Sequence, residues 1–313
     1  MGELRKDYVE DQFVVINTTR SKRPEQFLKK SSVPEKQGTC FFCPGNESMT
    51  PPTITSFDKD GRWQLRVFEN KFPIVSRDQD KIIQTHNEFY TFGGSYGVHE
   101  IIVETPDHEK QWWDFSPEHL GLIMEMYKKR IQALSEVDNI KFVAAFKNHK
   151  AEAGASLPHS HSQIVAFDRI PFRIEHIIEK VSQRGACPYC DIIARERNSH
   201  RRLFETMNFI AFAPYASRFA FEVWILPKSH KVSFVEEANT HELGLLLSRV
   251  TRKLKEINAP FNMVLVHSLD TSDELHYRLE ILPRLNTWAG FEYTGTIVNP
   301  MPPEDAAAWY RGQ

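Results

Sequence analysis

The same order of motifs occurs twice along this chain of 313 residues. Each half has a Cys-x-x-Cys pair, a strand-like apolar segment followed by a histidine, an amphipathic segment, and a closing strand led by a histidine. A repeat of whole motifs indicates one supersecondary unit used twice. The length is sufficient for two domains of ordinary size or for one large duplicated domain.

The amphipathic segments predict one long helix in each half. The first is predicted to begin at Ser116, with serine as the N-cap and Pro117 at the first helical position. The second is predicted to begin near Thr240. Their apolar residues recur at helical spacing and therefore indicate faces that pack on a core. A strand-like segment follows each helix, at residues 141–146 and 261–267.

All four cysteines fall in the two Cys-x-x-Cys pairs, Cys40/Cys43 and Cys187/Cys190. In a cytosolic chain such pairs favour a zinc site over a disulfide. The alternative is a thioredoxin-type redox pair, which needs a helix that starts inside the motif. The Pro-Gly after the first pair argues against that alternative. Neither pair has a second Cys-x-x-Cys beside it, so histidines must complete each site.

Histidines at matching positions of the two halves are the candidates for the remaining ligands. His108 and His230 follow the middle strand of each half, and His159 and His276 lead the closing strand. His99 is an alternative to His108, but the second half has no counterpart to it. We therefore predict two closed, structural Zn²⁺ sites, formed by Cys40, Cys43, His108 and His159 and by Cys187, Cys190, His230 and His276.

The closing strand of the first half reads His159-Ser-His161-Ser-Gln163 before an apolar run. Residues two apart on a strand share a face, so the three side chains are predicted to form one row. An imidazole can attack phosphorus and an amide can hold a phosphoryl oxygen. Arg278 and Glu280 stand at the matching positions of the second half. His161 is therefore the predicted nucleophile, with Gln163 beside it. The alternative is a half-buried strand with chance polar residues on its wet face.

Composition sets limits on partners and location. The formal net charge is −2, so no strong field would recruit nucleic acid or a membrane surface. The first eleven residues are charged, and no apolar run approaches the roughly 18 residues of a membrane span. We expect a cytoplasmic protein with no nucleic-acid or membrane partner.

The motifs together resemble the galactose-1-phosphate uridylyltransferase family of the histidine-triad superfamily, and most closely its ADP-glucose phosphorylase-like branch. The resemblance runs nearly end to end, and the His-x-His-x-Gln motif is its most specific part. It rests on Arg20-Ser-Lys-Arg23-Pro, Cys40-Phe-Phe-Cys43, Phe68-Glu-Asn70-Lys-Phe72, Asn148 with Gly154-Ala-Ser156 and His159-Ser-His161-Ser-Gln163, Leu226-Pro-Lys-Ser-His230, and Gly290-Phe-Glu with Asn299-Pro.

The resemblance implies an α+β fold of two tandem histidine-triad (HIT-like) half-domains, residues 1–170 and 171–313. Each half would be an antiparallel sheet with flanking helices, and the chain would assemble as a homodimer. The implied reaction is a ping-pong nucleotidyl transfer. His161 attacks the α-phosphorus of a nucleotide-sugar and releases sugar 1-phosphate, and a phosphate-bearing acceptor then resolves the nucleotidyl-histidine. The substrate-binding residues that it implies are Arg20, Arg23, Asn148 and Ser156 for the phosphates and Asn70 and Phe72 for the nucleoside.

Departures from the family pattern leave the substrates open. Lys71 stands where the uridylyltransferases usually have an aspartate beside the ribose, and residues 292–300 lack the Gly-Tyr-Glu that holds hexose in typical galactose enzymes. The base can be uracil, adenine or another base, and the acceptor can be inorganic phosphate, a sulfate ester or a sugar 1-phosphate. The alternatives are a dinucleoside polyphosphate phosphorylase or hydrolase, and a non-catalytic nucleotide-binding zinc protein. Gln163 disfavours hydrolysis, because an amide cannot transfer the protons that a third histidine could.

Overall fold

The computed structural model describes residues 2–6, 13–17, 39–272 and 275–313. A ten-stranded antiparallel sheet and a four-stranded antiparallel sheet are its main elements. The strands are β1 Gly2–Lys6, β2 Phe13–Asn17, β3 Thr53–Lys59, β4 Arg62–Glu69, β5 Ile83–His86, β6 Tyr90–Gly94, β7 Gly97–Val103, β8 Phe142–His149, β9 His161–Phe167, β10 Arg202–Glu205, β11 Phe209–Phe212, β12 Val223–Pro227, β13 Phe261–Val266 and β14 Arg278–Pro283. The α-helices are α1 Pro117–Ser135, α2 Phe172–Ser182, α3 Pro188–Glu196, α4 Thr240–Glu256 and α5 Pro303–Arg311.

The large sheet consists of two halves with the same strand arrangement, as the sequence repeat predicts. From each edge to the centre, the strand order is β3-β4-β7-β9-β8 in the first half and β10-β11-β12-β14-β13 in the second. The halves meet where β8 pairs with β13, and Asn148 there lies opposite Asn262. The predicted α+β class with antiparallel strands and flanking helices is confirmed, and the two half-sheets form one continuous sheet. The boundary near residue 170 stays a prediction; β9 ends at Phe167 and α2 begins at Phe172.

The two long helices, α1 and α4, pack against each other and on one face of the large sheet. Ser116 caps α1 as predicted, since its side chain accepts a hydrogen bond from the backbone N–H of His119 at 3.3 Å. The helices approach most closely at Gly121 and Gly244. A side chain at Gly244 would lie 2.1 Å from the carbonyl oxygen of Pro117, so only glycine fits there.

A second, smaller core cluster lies on the opposite face of the sheet. In β8, Val143 and Ala145 belong to the core under the long helices, whereas Phe142 packs on the other face with Ile174 of α2. Side chains alternate between the faces of a strand, so the following residues Phe146 and Asn148 share the face of Phe142. That face carries the cavity described below. No helix in the described part of the chain is long and apolar enough to cross a membrane.

The closing strand of each half begins later than predicted. β9 begins at His161 and β14 at Arg278, so His159 and His276 each lie two residues before the strand. The carbonyl of His159 accepts a hydrogen bond from the side chain of His161. The ring of His159 faces Cys40 and Cys43. His159 therefore does not share a row with His161 and Gln163, and only the latter two face the cavity.

Candidate active site and metal-ligand clusters

A cavity of about 550 Å³ lies beside β9, whose neighbours in the sheet are β7 and β8. The loop after β8 and the segments before β3 and after β4 complete its walls. Most of the residues that the sequence predicts for substrate come together here. The predicted residues that line the cavity are His161, Gln163, Asn70, Phe72, Asn148 and Ser156. Arg20 and Arg23 lie outside the described residues.

The imidazole of His161 is buried and held in one tautomer. Its Nδ1 lies 2.8 Å from the backbone carbonyl oxygen of His159, and a carbonyl can only accept. Nδ1 therefore carries the proton, and Nε2 has the free lone pair. Burial lowers the pKa of His161 below its ordinary value, and this outweighs the opposite effect of the hydrogen bond to His159. A neutral imidazole with a defined basic nitrogen is a competent nucleophile at neutral pH.

His99 sets the orientation of the Gln163 amide. The backbone N–H of Ile74 donates to Nδ1 of His99 at 3.3 Å, so the ring proton is on Nε2. That Nε2 lies 2.9 Å from Oε1 of Gln163 and donates to it. With its oxygen turned to His99, Gln163 has its NH₂ group left to donate to a ligand. His99 is thus a partner of Gln163, and the group of side chains that could hold a metal ion includes His108 and not His99.

Each Cys-x-x-Cys pair meets the two histidines predicted for it. In the first cluster, Nδ1 of His108 lies 3.4 Å from Sγ of Cys43, and Nδ1 of His159 lies 3.5 Å from Sγ of Cys40. The four ligand atoms of each cluster lie within 4.8 Å of one another. Either cluster could hold a metal ion. The clusters are Cys40, Cys43, His108 and His159, and Cys187, Cys190, His230 and His276.

The chemistry of the donors also fits a metal. Nε2 of His159 lies 2.8 Å from the carbonyl oxygen of Thr105, and Nε2 of His276 lies 2.9 Å from that of Pro227. Both rings are therefore protonated on Nε2 and turn an unprotonated Nδ1 to the thiols. Metal-bound histidines usually donate their other N–H to an oxygen in this way. The same arrangement occurs independently in both halves.

A buried ion pair supports β9 from the face opposite the cavity. Nζ of Lys147 lies 2.5 Å from a carboxylate oxygen of Glu104, 3.0 Å from Oγ of Ser160 and 3.2 Å from the carbonyl oxygen of His161. Both serines beside His161, Ser160 and Ser162, donate to the same carboxylate. The sequence patterns did not predict this network. Lys147, which follows five apolar residues in β8, was the available signal, because a buried charge needs a partner.

The matching position of the second half is filled with charged side chains. Arg278 and Glu280 are 1% and 0% exposed, and Glu280 also accepts hydrogen bonds from Arg173 and Arg218. Burial would raise the pKa of Glu280, but the three arginines outweigh it and lower the pKa to about 2. These pairs occupy the place that His161 and Gln163 hold in the first half. In the described part of the large sheet, the histidine and glutamine pair therefore occurs at this position in the first half and not in the second.

Fold and cavity define a duplicated α+β protein of two HIT-like halves, with the cavity in the first half. The model of the N-terminal domain of galactose-1-phosphate uridyl transferase matches residues 3–171, and a domain of unknown function matches residues 114–308. The chain is 34% identical to ADP-glucose phosphorylase of Arabidopsis thaliana, over 97% of this chain and 91% of that protein. It is 30% identical to galactose-1-phosphate uridylyltransferase of Thermotoga maritima, over 99% of this chain and 98% of that protein.

A solved structure agrees with these similarities. The crystal structure of an Arabidopsis thaliana ADP-glucose phosphorylase with bound ADP-glucose superposes with a TM-score of 0.77 at 31% identity, and the match covers 100% of this chain and 99% of that one. The chain belongs to the galactose-1-phosphate uridylyltransferase family, in its ADP-glucose phosphorylase-like branch. It is a nucleotidyltransferase, so the non-catalytic alternative does not hold.

Proposed function

We propose that the protein moves a nucleoside monophosphate from a UDP- or ADP-hexose to a phosphate-bearing acceptor through a covalent intermediate on His161. The observation that carries this proposal is the buried, neutral imidazole whose Nδ1–H is bound to the carbonyl of His159. Nε2 is then the nitrogen that attacks. The acceptor is inorganic phosphate or a sugar 1-phosphate.

In the first half-reaction, the lone pair of Nε2 forms a bond to the α-phosphorus, and the bond from that phosphorus to the bridging oxygen breaks. Sugar 1-phosphate leaves with the electron pair. Phosphate monoesters have a second pKa near 6, so this leaving group departs as an anion without a general acid. The NH₂ groups of Gln163 and Asn148 donate to the non-bridging oxygens, where charge develops in the transition state.

The second half-reaction is the reverse with a new acceptor. An acceptor phosphate is already anionic at neutral pH, so its oxygen attacks phosphorus without a general base. Water would have to lose a proton, and Gln163 cannot accept one. The side chain at position 163 therefore supports transfer to phosphates over hydrolysis, and over the dinucleoside polyphosphate hydrolase alternative.

The nucleoside end of the cavity supports the assignment of Asn70 and Phe72. Oδ1 of Asn70 accepts the backbone N–H of Phe72 at 2.9 Å, which shapes the turn after β4. Phe72 is 57% exposed and lines the cavity beside Asn70, and an aromatic ring is a side chain suited to contact a base. Lys71 also lines the cavity and replaces the carboxylate expected beside the ribose. Together with the similarity to ADP-glucose phosphorylase, this makes ADP-hexose with inorganic phosphate the first pair to test.

We propose that zinc occupies both Cys₂His₂ clusters. Tetrahedral zinc with bonds of about 2.3 Å to sulfur and 2.0 Å to nitrogen separates those ligand atoms by roughly 3.5 Å. The observed Sγ–Nδ1 distances of 3.4 to 3.7 Å agree with this spacing. Four protein ligands leave no open position, so zinc would supply folding free energy and rigidity rather than a reactive water.

We also propose a homodimer in the cytoplasm. Beyond the family resemblance, the hairpin of β5 and β6 supports self-association, because it exposes large apolar side chains. Ile82, Ile83 and Phe89 are 62%, 41% and 60% exposed. Light scattering coupled to gel filtration tests the subunit number, and a monomeric mass at micromolar concentration would reject the dimer.

The decisive experiment is to incubate the protein with UDP-, ADP- and GDP-sugars one at a time and to measure its intact mass. A nucleotidyl-enzyme gains the mass of one nucleoside monophosphate, and the increment names the base. Adding inorganic phosphate or a sugar 1-phosphate should then remove the adduct. Turnover of these substrates with no adduct at any time would reject the covalent mechanism.

A further inference from the structure

Asn262 reaches the active site from the second half without lining the cavity. It lies on β13, directly opposite Asn148 of β8 in the register that joins the two halves. Its Nδ2 lies 2.8 Å from Oδ1 of Asn148 and 2.7 Å from the carbonyl oxygen of Ala153. One amide group therefore contacts both a cavity residue and the loop that follows β8.

These two contacts determine which way both amides point. The carbonyl oxygen of Ala153 can only accept, so the atom of Asn262 that faces it must be the NH₂ group. That NH₂ group has a second proton, which it donates to Asn148. The atom of Asn148 that faces Asn262 must then be its oxygen. The NH₂ group of Asn148 is left for the other side.

The free NH₂ group of Asn148 lies on the cavity side, next to Gly154. A Cβ atom at Gly154 would be 3.8 Å from Nδ2 of Asn148, and both residues line the cavity with Ser156. Asn148 thus offers donors, as Gln163 does. Phosphate oxygens are acceptors only, so both amides are matched to an anionic ligand.

We propose that Asn262 is a positioning residue for nucleotidyl transfer, which holds Asn148 with its NH₂ group toward the substrate phosphates. The inference rests on the proposed function, because it takes the phosphates as the ligand of Asn148. It gives the second half a part in the reaction, although Arg278 stands there at the position that matches His161. The second half contributes by orienting the Asn148 amide from the neighbouring strand β13.

The aspartate substitution at this position is the sharpest test. Asn262→Asp keeps the size and shape of the side chain but cannot donate, so it would accept from Nδ2 of Asn148. The Asn148 amide would then turn and present its oxygen to the phosphates. Asn262→Ala removes the orienting bond without reversing it. If Asn262 only filled space, Asn262→Ala would lose more activity than Asn262→Asp, because alanine leaves the larger cavity.

The measurements are kcat/KM for transfer, the Kd for ADP and UDP, and the melting temperature of each variant. Removing a transition-state donor costs about 100-fold in rate, so Asn148→Ala and Asn262→Asp should each lose about that much. Asn262→Ala should lose roughly tenfold, because part of the Asn148 population keeps the productive orientation. Asn198→Asp, an exposed position with the same charge change, is the matched control and should equal the wild type.

A double-mutant cycle separates positioning from structure. In an Asn148→Ala background there is no amide to turn, so Asn262→Asp and Asn262→Ala should each change kcat/KM less than about threefold. If Asn262→Asp loses as much in that background as in the wild type, it acts through the loop or the fold, and the inference is wrong. Wild-type rates in Asn262→Asp would overturn it as well.

Failure of the proposed function has a different signature. A wild-type protein that neither transfers nor binds ADP or UDP would reject the proposed function, and this inference with it. An active wild type whose Asn148 and Asn262 variants are additive would reject the inference alone.

Discussion

The imidazole of His161 donates its Nδ1–H to the backbone carbonyl of His159, at 2.8 Å. His159 in turn presents its own Nδ1 to Cys40 and Cys43. A member of the first metal-ligand cluster and the proposed nucleophile are therefore linked through a single peptide segment. Whatever holds the ring of His159 also holds the carbonyl that selects the tautomer of His161.

His161→Ala should reduce transfer by several orders of magnitude, because no other imidazole in the described cavity has this position. The melting temperature should change little by comparison. The measurement is exchange of label between a nucleotide-sugar and its sugar 1-phosphate. His86→Ala, at an exposed histidine, controls for the substitution itself. Near-normal exchange in His161→Ala would show that the nucleophile lies elsewhere.

Gln163→His should shorten the lifetime of the nucleotidyl-enzyme in water. An imidazole beside the intermediate can accept a proton from an attacking water, which the amide cannot do. The adduct is formed on the intact protein, separated from substrate, and followed by mass over time without acceptor. An adduct that decays at the wild-type rate would contradict this account of Gln163 and leave that of His161 untouched.

Replacing one cysteine of either pair should remove one equivalent of zinc per chain. Metal analysis of protein purified without chelator measures this loss. Cys187→Ser should lower the melting temperature with little loss of rate per folded molecule, because the second cluster adjoins Arg278 rather than a nucleophile. Cys40→Ser should also lower the rate, since its cluster includes His159. Purified protein without zinc, or zinc retained in both variants, would reject the two sites.

Lys147→Met should destabilise the protein by about 3–5 kcal/mol, because it leaves the fully buried carboxylate of Glu104 without its ion-pair partner. Urea unfolding measures the loss. The double variant Glu104→Gln with Lys147→Met removes the orphaned charge and should recover part of it. A double variant no more stable than Lys147→Met would show that the charge itself is not the cause.

Stability should fall with acid in part through His267. Burial lowers the pKa of this histidine from 6.5 to about 4, so the unfolded chain binds a proton in this interval that the folded chain does not. The associated stability is fully present above pH 6.5 and is lost as the pH falls toward 4, at about 1.4 kcal/mol per pH unit. His267→Gln should flatten the pH dependence of urea unfolding between these values, and an unchanged slope would contradict the assignment.

Spacing within the motifs and comparison of the two halves predicted the duplicated order of motifs, the members of both Cys/His clusters, the N-cap of α1 and the candidate nucleophile. These features can be recognised without knowing which strands become neighbours. Two cysteines three apart can share an ion, a serine before a proline can cap a helix, and a histidine present in only one half stands out beside its counterpart, Arg278. Comparison of the halves also favoured His108 over His99, and the structure places His108 beside Cys43.

Tertiary structure alone decided the relationships that cross the sheet. His99 orients Gln163 from a neighbouring strand, Glu104 pairs with Lys147 beside the proposed nucleophile, and Asn262 faces Asn148 where the two halves pair. Each contact depends on which strands become neighbours and in which register, and the period of a strand pattern specifies neither. β9 begins later than predicted for the same reason. The ring of His159 contacts Cys40 and its carbonyl oxygen accepts from His161, and the Cys40 contact forms only in the tertiary structure.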